Sequence, residues 1–161
     1  MAVPEMIERL VQLAAEIGSL QSKLILLVGG PHTGKTALLL DFAARSEAKV
    51  LSVGSELGRR LAALPQKQRH LQVGTVLREL TDEHAKGDLL LLDNIELLFD
   101  RSLQLDPLDL LKRHARSRRV VAIWPGELQG DANTGRLTFA NIGHPEHQDY
   151  SLSGVVPFQI Q

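Results

Sequence analysis

The residues Gly29-Gly30-Pro31-His32-Thr33-Gly34-Lys35-Thr36 fit the pattern G-x-x-x-x-G-K-[ST] in full. No other stretch restricts the fold as tightly, because this chemistry works only where a strand runs into the loop and a helix leaves it. Both flanks have the required character. Residues 24–29 form a continuous apolar run ending in glycine, which suits a strand covered on both faces of a parallel sheet. Residues 36–45 carry Leu38, Leu39, Phe42 and Ala43 at helical spacing. Gly29 and Gly34 permit backbone angles that larger residues resist, so successive N–H groups can converge on a phosphate. The start of the helix adds its dipole to the anion site. Lys35 would reach the β- and γ-phosphates of a nucleotide, and the Thr36 hydroxyl would ligate Mg²⁺. The expected nucleotide contacts are Gly29, Gly30, Pro31, His32, Thr33, Gly34, Lys35, Thr36 and Ala37. The bland alternative is a glycine turn that happens to precede a lysine.

The rest of the chain alternates strand-like and helix-like segments. Residues 4–20 open with Pro4 in a first helical turn, carry Ile7, Leu10, Val11, Ala14 and Ile17 at helical spacing, and stop at Gly18. A short strand is expected over 49–53, then a helix over 55–64 capped by Ser55 and closed before Pro65. A further helix is expected over 73–85, ended by Gly87. Residues 88–93, with four consecutive leucines, read as a buried strand, and a helix from about Pro107 to Ala115 follows. Residues 120–124 read as a fourth strand and 137–140 as a shorter fifth. The tail 141–161, with Pro145, Gly154 and Pro157, reads as irregular.

This alternation predicts a three-layer α/β fold, with a mostly parallel five-stranded sheet flanked by helices. At 161 residues, with no repeat and no low-complexity linker, a single domain is expected over 1–161. A net charge of about −1 gives the whole molecule no bias toward nucleic acid, so any basic surface must be local. The absence of cysteine excludes disulfides, thiolate metal sites and cysteine nucleophiles. Glu5 and Glu8 stand where a secretory signal would need basic and then apolar residues, and the apolar runs are too short to cross a bilayer. A cytoplasmic location is the default expectation.

A phosphate loop of this kind usually has a partner, an acidic residue ending an apolar strand and holding Mg²⁺ from the far side. Leu89-Leu90-Leu91-Leu92-Asp93 supplies it. Asp93 at the carboxyl edge of a parallel strand would share a rim with the phosphate loop; the alternative is that it caps the next segment. Hydrolytic relatives of this architecture usually place a glutamate directly after the aspartate, to polarise the attacking water. Asn94 stands there instead, and Glu96 would reach toward the γ-phosphate if the chain turns into a helix after the strand. A solvated glutamate at a helix N-terminus is the competing reading.

Arg113, Arg116, Arg118 and Arg119, with Lys112 and His114, form the densest basic patch, just before the fourth strand. Cations at a helix C-terminus complement the dipole. Two sharper readings are an arginine completing a neighbouring subunit's ATP site in a homo-oligomer, and contact with DNA phosphates. Only 4% of residues are aromatic, which gives little support to stacking on single-stranded bases. Trp124 ends the fourth strand where related ATPases carry a polar γ-phosphate sensor; Trp124-Pro125-Gly126 reads as a turn that packs the strand end and shields the nucleotide. His144 and His147 flank Pro145 and Glu146, and a structural loop is favoured there over a metal site.

Taken together, these segments resemble a known family. The phosphate loop, Leu57 with Arg59-Arg60-Leu61, Leu92-Asp93-Asn94-Ile95-Glu96 with Leu98-Phe99-Asp100, Asp106-Pro107-Leu108, Trp124-Pro125-Gly126 and Gly143-His144-Pro145-Glu146 are similar to the BrxF family, the small P-loop proteins of type 3 BREX (bacteriophage exclusion) systems. The likeness runs from about residue 20 to 150. It implies a P-loop NTPase of the additional-strand class with ATP and Mg²⁺ as cofactors, acting with other BREX components in bacterial phage defence. Residues 49–53 are the strand lying in sequence between the phosphate-loop strand and the acidic strand. No helical lid of the kind common in AAA+ proteins is expected. The leading expectation is an ATP-hydrolysing motor or switch subunit. A non-hydrolysing nucleotide sensor or adaptor and a small-molecule kinase are the alternatives. No guanine-reading Asn-Lys-x-Asp motif occurs, which tilts the choice toward ATP.

Overall fold

The apolar runs of the sequence become strands of one parallel sheet. The computed structural model describes residues 4–19, 23–29, 33–129, 136–139, 148–151 and 154–160. In chain order these hold α1 (Pro4–Glu16), β1 (Leu24–Val28), α2 (Lys35–Arg45), β2 (Val50–Ser52), α3 (Val53–Ala62), α4 (Gln66–His84) and β3 (Leu89–Asp93). Then follow α5 (Pro107–His114), β4 (Arg119–Ile123), β5 (Glu127–Gln129), β6 (Arg136–Phe139), β7 (Gln148–Ser151) and β8 (Val156–Gln159). Short 3₁₀ turns occupy Ile17–Ser19, Ile95–Phe99 and Arg101–Leu103.

The main sheet has the order β2-β3-β4-β1-β8, with every pairing parallel. Side chains alternate between the faces of a strand, so the continuous apolar runs divide into two cores. Leu24, Leu26, Leu90, Leu92, Val120 and Ala122 join buried residues of α3, α4 and α5 on one face. Ile25, Leu27, Leu89, Leu91, Val121 and Ile123 join α1 and α2 on the other. Ile7, Leu10, Ala14 and Ile17, the helical stripe expected from sequence, pack into this second core. Truncating any one of these buried leucines to alanine is expected to destabilise the fold by roughly 2–5 kcal/mol.

Strands β1 and β4 are neighbours whose onward connections run to opposite ends of the sheet, β1 toward β2 and β4 toward β8. In open α/β sheets that switch point opens a crevice at the carboxyl ends of the strands. The phosphate loop leaves β1 at this place. The strand that separates β1 from β3 in sequence, β2, lies at the far edge of the sheet; in space they are separated by β4.

Several expectations are corrected. The 137–140 segment is not the fifth strand of the main sheet: Arg136–Phe139 is the central strand of a separate antiparallel sheet, β5-β6-β7. The fifth strand is Val156–Gln159, inside the tail expected to be irregular. Pro157 is accommodated because β8 lies at an edge. The N–H of Ile160 bonds Val28 across β1 at 2.8 Å, so Phe158 shares that direction and Pro157 turns its N–H-less nitrogen away from the ladder. Helix α3 starts at Val53 with Ser52 in the cap position, so Ser55 falls inside the first turn. Helix α4 begins directly after Pro65, earlier than the expected 73. Its first turns are polar and solvent-facing, so no apolar stripe announces them.

Candidate nucleotide-binding site

Three strand ends meet at one rim: β1 running into Gly29, β3 ending at Asp93, and β4 running into Trp124. Gly29 is required by crowding, since a Cβ there would lie 2.8 Å from the Ile160 carbonyl and 2.8 Å from Thr33 Oγ1. Gly34 sits at the N-cap of α2 with φ 87°, a left-handed conformation that disfavours a side chain. No side chain caps this helix. Its first intrahelical bond runs from the Leu38 N–H to the Gly34 carbonyl at 2.9 Å, so the N–H groups of Lys35, Thr36 and Ala37 have no acceptor within the helix.

The half-buried Lys35 folds back, and its Nζ donates to the Gly29 carbonyl at 2.7 Å. Thr36 is exposed and Ala37 half-buried. These groups suit a nucleotide phosphate: N–H donors that the helix leaves without an acceptor, an ammonium at the same helix head, and a crowded glycine at the strand exit. Gly30, Pro31 and His32 lie outside the described residues.

On the acidic side, Asp93 is half-buried, and its Oδ1 accepts the Asn94 N–H at 2.7 Å. Asn94 adopts a left-handed conformation with φ 53°, which asparagine tolerates better than most residues. That turn starts the Ile95–Phe99 3₁₀ helix and presents Ile95, Leu98 and Phe99 to the core while Glu96 stays exposed. The Asn94 amide points toward β2, where its Nδ2 donates to Ser52 Oγ at 2.9 Å. Ser52 in turn donates to Ser55 Oγ at 3.2 Å, and the Asn94 carbonyl accepts the Gly54 N–H at 2.9 Å. Ser52 is level with Asp93 in the sheet register. Asn94 is thus held on the side of β3 away from β4 and β1. This Ser52–Asn94–Gly54 lock had no sequence signal, because its partners are some forty residues apart.

Trp124 is fully buried. Its backbone N–H donates to Leu27 at 3.0 Å, its Nε1 donates to the Thr138 carbonyl at 3.0 Å, and its ring meets Phe99 edge-on at 5.3 Å. A Cβ on Gly126 would lie 1.5 Å from that same Thr138 carbonyl. Trp124 and Gly126 therefore fasten the small antiparallel sheet to the rim of the main one, in keeping with a tryptophan that packs the strand end.

The basic patch lies at the amino end of β4, roughly 15 Å along the strand from this rim. Arg119 makes a two-pronged bond to Asp88 at 2.9 and 3.0 Å and also donates to the Ala14 carbonyl at 3.0 Å. Its guanidinium holds the Asp88 carboxyl below the usual carboxylate value. Arg118 pairs with Asp82 at 2.9 Å and donates to the Thr81 carbonyl at 3.2 Å. Arg113 pairs with Asp109, one helical turn back, at 3.0 Å. Arg116 is exposed and makes no ion pair with a described residue. His144 and His147, with Pro145 and Glu146, fall outside the described residues. Among the described residues no group of three or more His, Asp or Glu side chains gathers as a metal site, and no helix is long and apolar enough to cross a membrane.

A parallel sheet with a strand inserted between the phosphate-loop strand and the acidic strand, and both motifs on one rim, defines the P-loop NTPase fold. Comparison with one solved structure agrees. A protein described as a DNA replication initiation factor shares the fold over 100% of this chain and 48% of its own, with a TM-score of 0.51 and 18% identity. C. elegans PCH-2 aligns with 74% of this chain and 35% of its own, with a TM-score of 0.40 and 20% identity. The chain spans about half the length of the first structure and about a third of the second. At such identities the likeness is one of fold. No protein-family model and no curated protein matches the sequence.

Proposed function

We propose that this chain is an ATP–Mg²⁺-binding and ATP-hydrolysing subunit, working as a motor or switch in a BREX-type phage-defence complex. The observation that carries nucleotide binding is the head of α2, where N–H groups with no acceptor within the helix follow a glycine N-cap and the Lys35 ammonium folds back to Gly29. Gly29, Gly34, Lys35 and the first turn through Ala37 hold the phosphates, together with Gly30, Pro31, His32 and Thr33 of the loop. Thr36 and Asp93 hold Mg²⁺, whose charge would offset that developing on the phosphates. The defence role rests on the family resemblance alone.

Glu96 is the candidate to polarise the attacking water. It is exposed on a short helix that follows the acidic strand and that the Asn94 turn and the Ile95, Leu98 and Phe99 anchors hold in place. Asn94 acts by fixing that turn, since its amide is committed to Ser52. Arg116 is the candidate to complete a neighbouring subunit's site, because Arg113, Arg118 and Arg119 are each engaged by a carboxylate. A second reading, a nucleotide sensor that does not hydrolyse, is favoured by that same commitment of Asn94 and by the buried Trp124.

Calorimetric ATP binding with Lys35→Ala, and phosphate release with Glu96→Gln and Arg116→Ala across a range of protein concentrations, test these readings. Unchanged ATP affinity in Lys35→Ala overturns the binding site. Tight binding without turnover at any concentration selects the sensor.

A further inference from the structure

Residues of α4 and α5, with Ser117 and Arg118 just before β4, line a cavity of about 560 Å³. It lies at the opposite end of the strands from the phosphate loop, so no nucleotide phosphate held at Lys35 can occupy it. Its size falls within the range of pockets that take small ligands, about 300–1,000 Å³.

Its walls concentrate positive charge in a chain whose net charge is about −1. Arg78, Arg113 and Arg118 line it against a single carboxylate, Asp82. Asp82 is taken by Arg118 at 2.9 Å. Arg113 leans on Asp109 outside the cavity, in a pair whose members are 55% and 56% exposed and therefore weakly held. Arg78 makes no ion pair with a described residue. His114 shares the cavity, where burial first, and then Arg118, Arg78 and Arg113, push its imidazole below the usual histidine value, against a small opposing pull from Asp82.

The wall also contains Gly74, in the middle of α4. Nothing lies within 4 Å of where its Cβ would be, and its φ is not positive. A mid-helix glycine costs about 0.5–1 kcal/mol relative to alanine. Neither packing nor backbone conformation explains this one, and it stands on the cavity wall, where a larger side chain would take up open space.

We propose that this cavity is a second anion site, taking the phosphate group of a small phosphorylated molecule between Arg78, Arg113 and Arg118. The three arginines line a concavity between two helices, which suits an isolated phosphate better than the outward-facing backbone of a duplex. Asp109 and Asp82 hold Arg113 and Arg118 in place, and a bound phosphate would favour the protonated His114.

The test follows the His114 ring by NMR during pH titrations with inorganic phosphate or 5′-AMP, against chloride at matched ionic strength, in the full chain carrying Lys35→Ala. The expected result is a saturable rise in the His114 pKa with both probes. Arg78→Gln should weaken phosphate binding about tenfold, as should Arg113→Gln, which serves if the first variant folds poorly. Gly74→Leu should abolish the response while circular dichroism shows the helices intact. A His114 titration that chloride reproduces, or that Arg78→Gln, Arg113→Gln and Gly74→Leu all leave unchanged, overturns the site. A response to a short DNA duplex with none to phosphate or AMP overturns it in favour of a nucleic-acid surface. Because Lys35 is absent throughout, failure here leaves the phosphate-loop reading standing.

Discussion

The Lys35 ammonium donates to the Gly29 carbonyl at 2.7 Å, bridging the two ends of the phosphate loop. The contact places a cation at the head of α2, whose first N–H groups have no acceptor within the helix, and where a phosphate would displace the carbonyl as its partner. Charged hydrogen bonds contribute about 1.5–3 kcal/mol each. Lys35→Ala should therefore weaken ATP binding roughly 10- to 100-fold with little change in melting temperature. Gly29→Ala should lower both affinity and stability, because the new methyl meets the Ile160 backbone. Calorimetry on the two variants separates these outcomes.

Glu96 and Ser52 should divide by kinetic signature. Glu96→Gln should reduce kcat by about 100-fold or more while KM stays within a few-fold, as expected for a general base. Ser52→Ala removes the partner of the Asn94 amide. It should cost about 1 kcal/mol of stability and lower kcat several-fold without altering ATP affinity. Equal turnover in Glu96→Gln and wild type would exclude Glu96 as the base.

Trp124 should behave as the fastener between the two sheets. Trp124→Ala should destabilise the chain by about 3–5 kcal/mol, measured by urea unfolding followed by circular dichroism. Trp124→Phe should lose about 1 kcal/mol, chiefly the bond to Thr138. Trp124 is the only tryptophan, and it is fully buried, so native emission should be blue-shifted and should move to the red on unfolding.

Stability should fall on mild acidification. His114 has a folded pKa below its ordinary 6.5, so the unfolded chain binds the proton more readily. Its contribution is fully present above about pH 6.5 and is lost as pH drops from there toward the lower folded value. Asp88, whose folded pKa is also lowered, contributes stability above its unfolded value of 3.8 that is lost only in stronger acid. Urea midpoints between pH 8 and pH 5 should decline in wild type and flatten in His114→Gln.

Gly74→Ala should raise stability by about 0.5–1 kcal/mol, since the added methyl meets nothing. A melting-temperature rise of about 2–4 °C is the expected reading. A fall would mean that the position tolerates no side chain.

Much of the architecture was legible because burial on both faces forces unbroken apolar runs, which is why 24–29 and 88–93 read as strands. The strand β8 was not, since four residues containing Pro157 resemble a loop until their edge position makes the missing N–H harmless. The polar start of α4 was hidden for a related reason: its stability comes from the packed turns that follow, among them Val73, Leu77 and Leu80. At the site, the phosphate loop and Asp93 were legible as contiguous motifs. The roles of Asn94, Trp124 and the arginines depended on partners distant in the chain.

By itself, the sequence determined the local chemistry: a glycine-framed lysine and threonine at the head of a helix, and an aspartate ending a leucine strand. Steric freedom at glycine, helix-end donors and strand alternation act within a few residues, so spacing alone expresses them. Only the tertiary structure decided that β4 lies between β1 and β3, that Asn94 turns to Ser52, and that Arg113, Arg118 and Arg119 are held by carboxylates while Arg78 faces an open cavity. Those outcomes arise from contacts between residues far apart in sequence, whose energies depend on which surfaces the folded chain brings together.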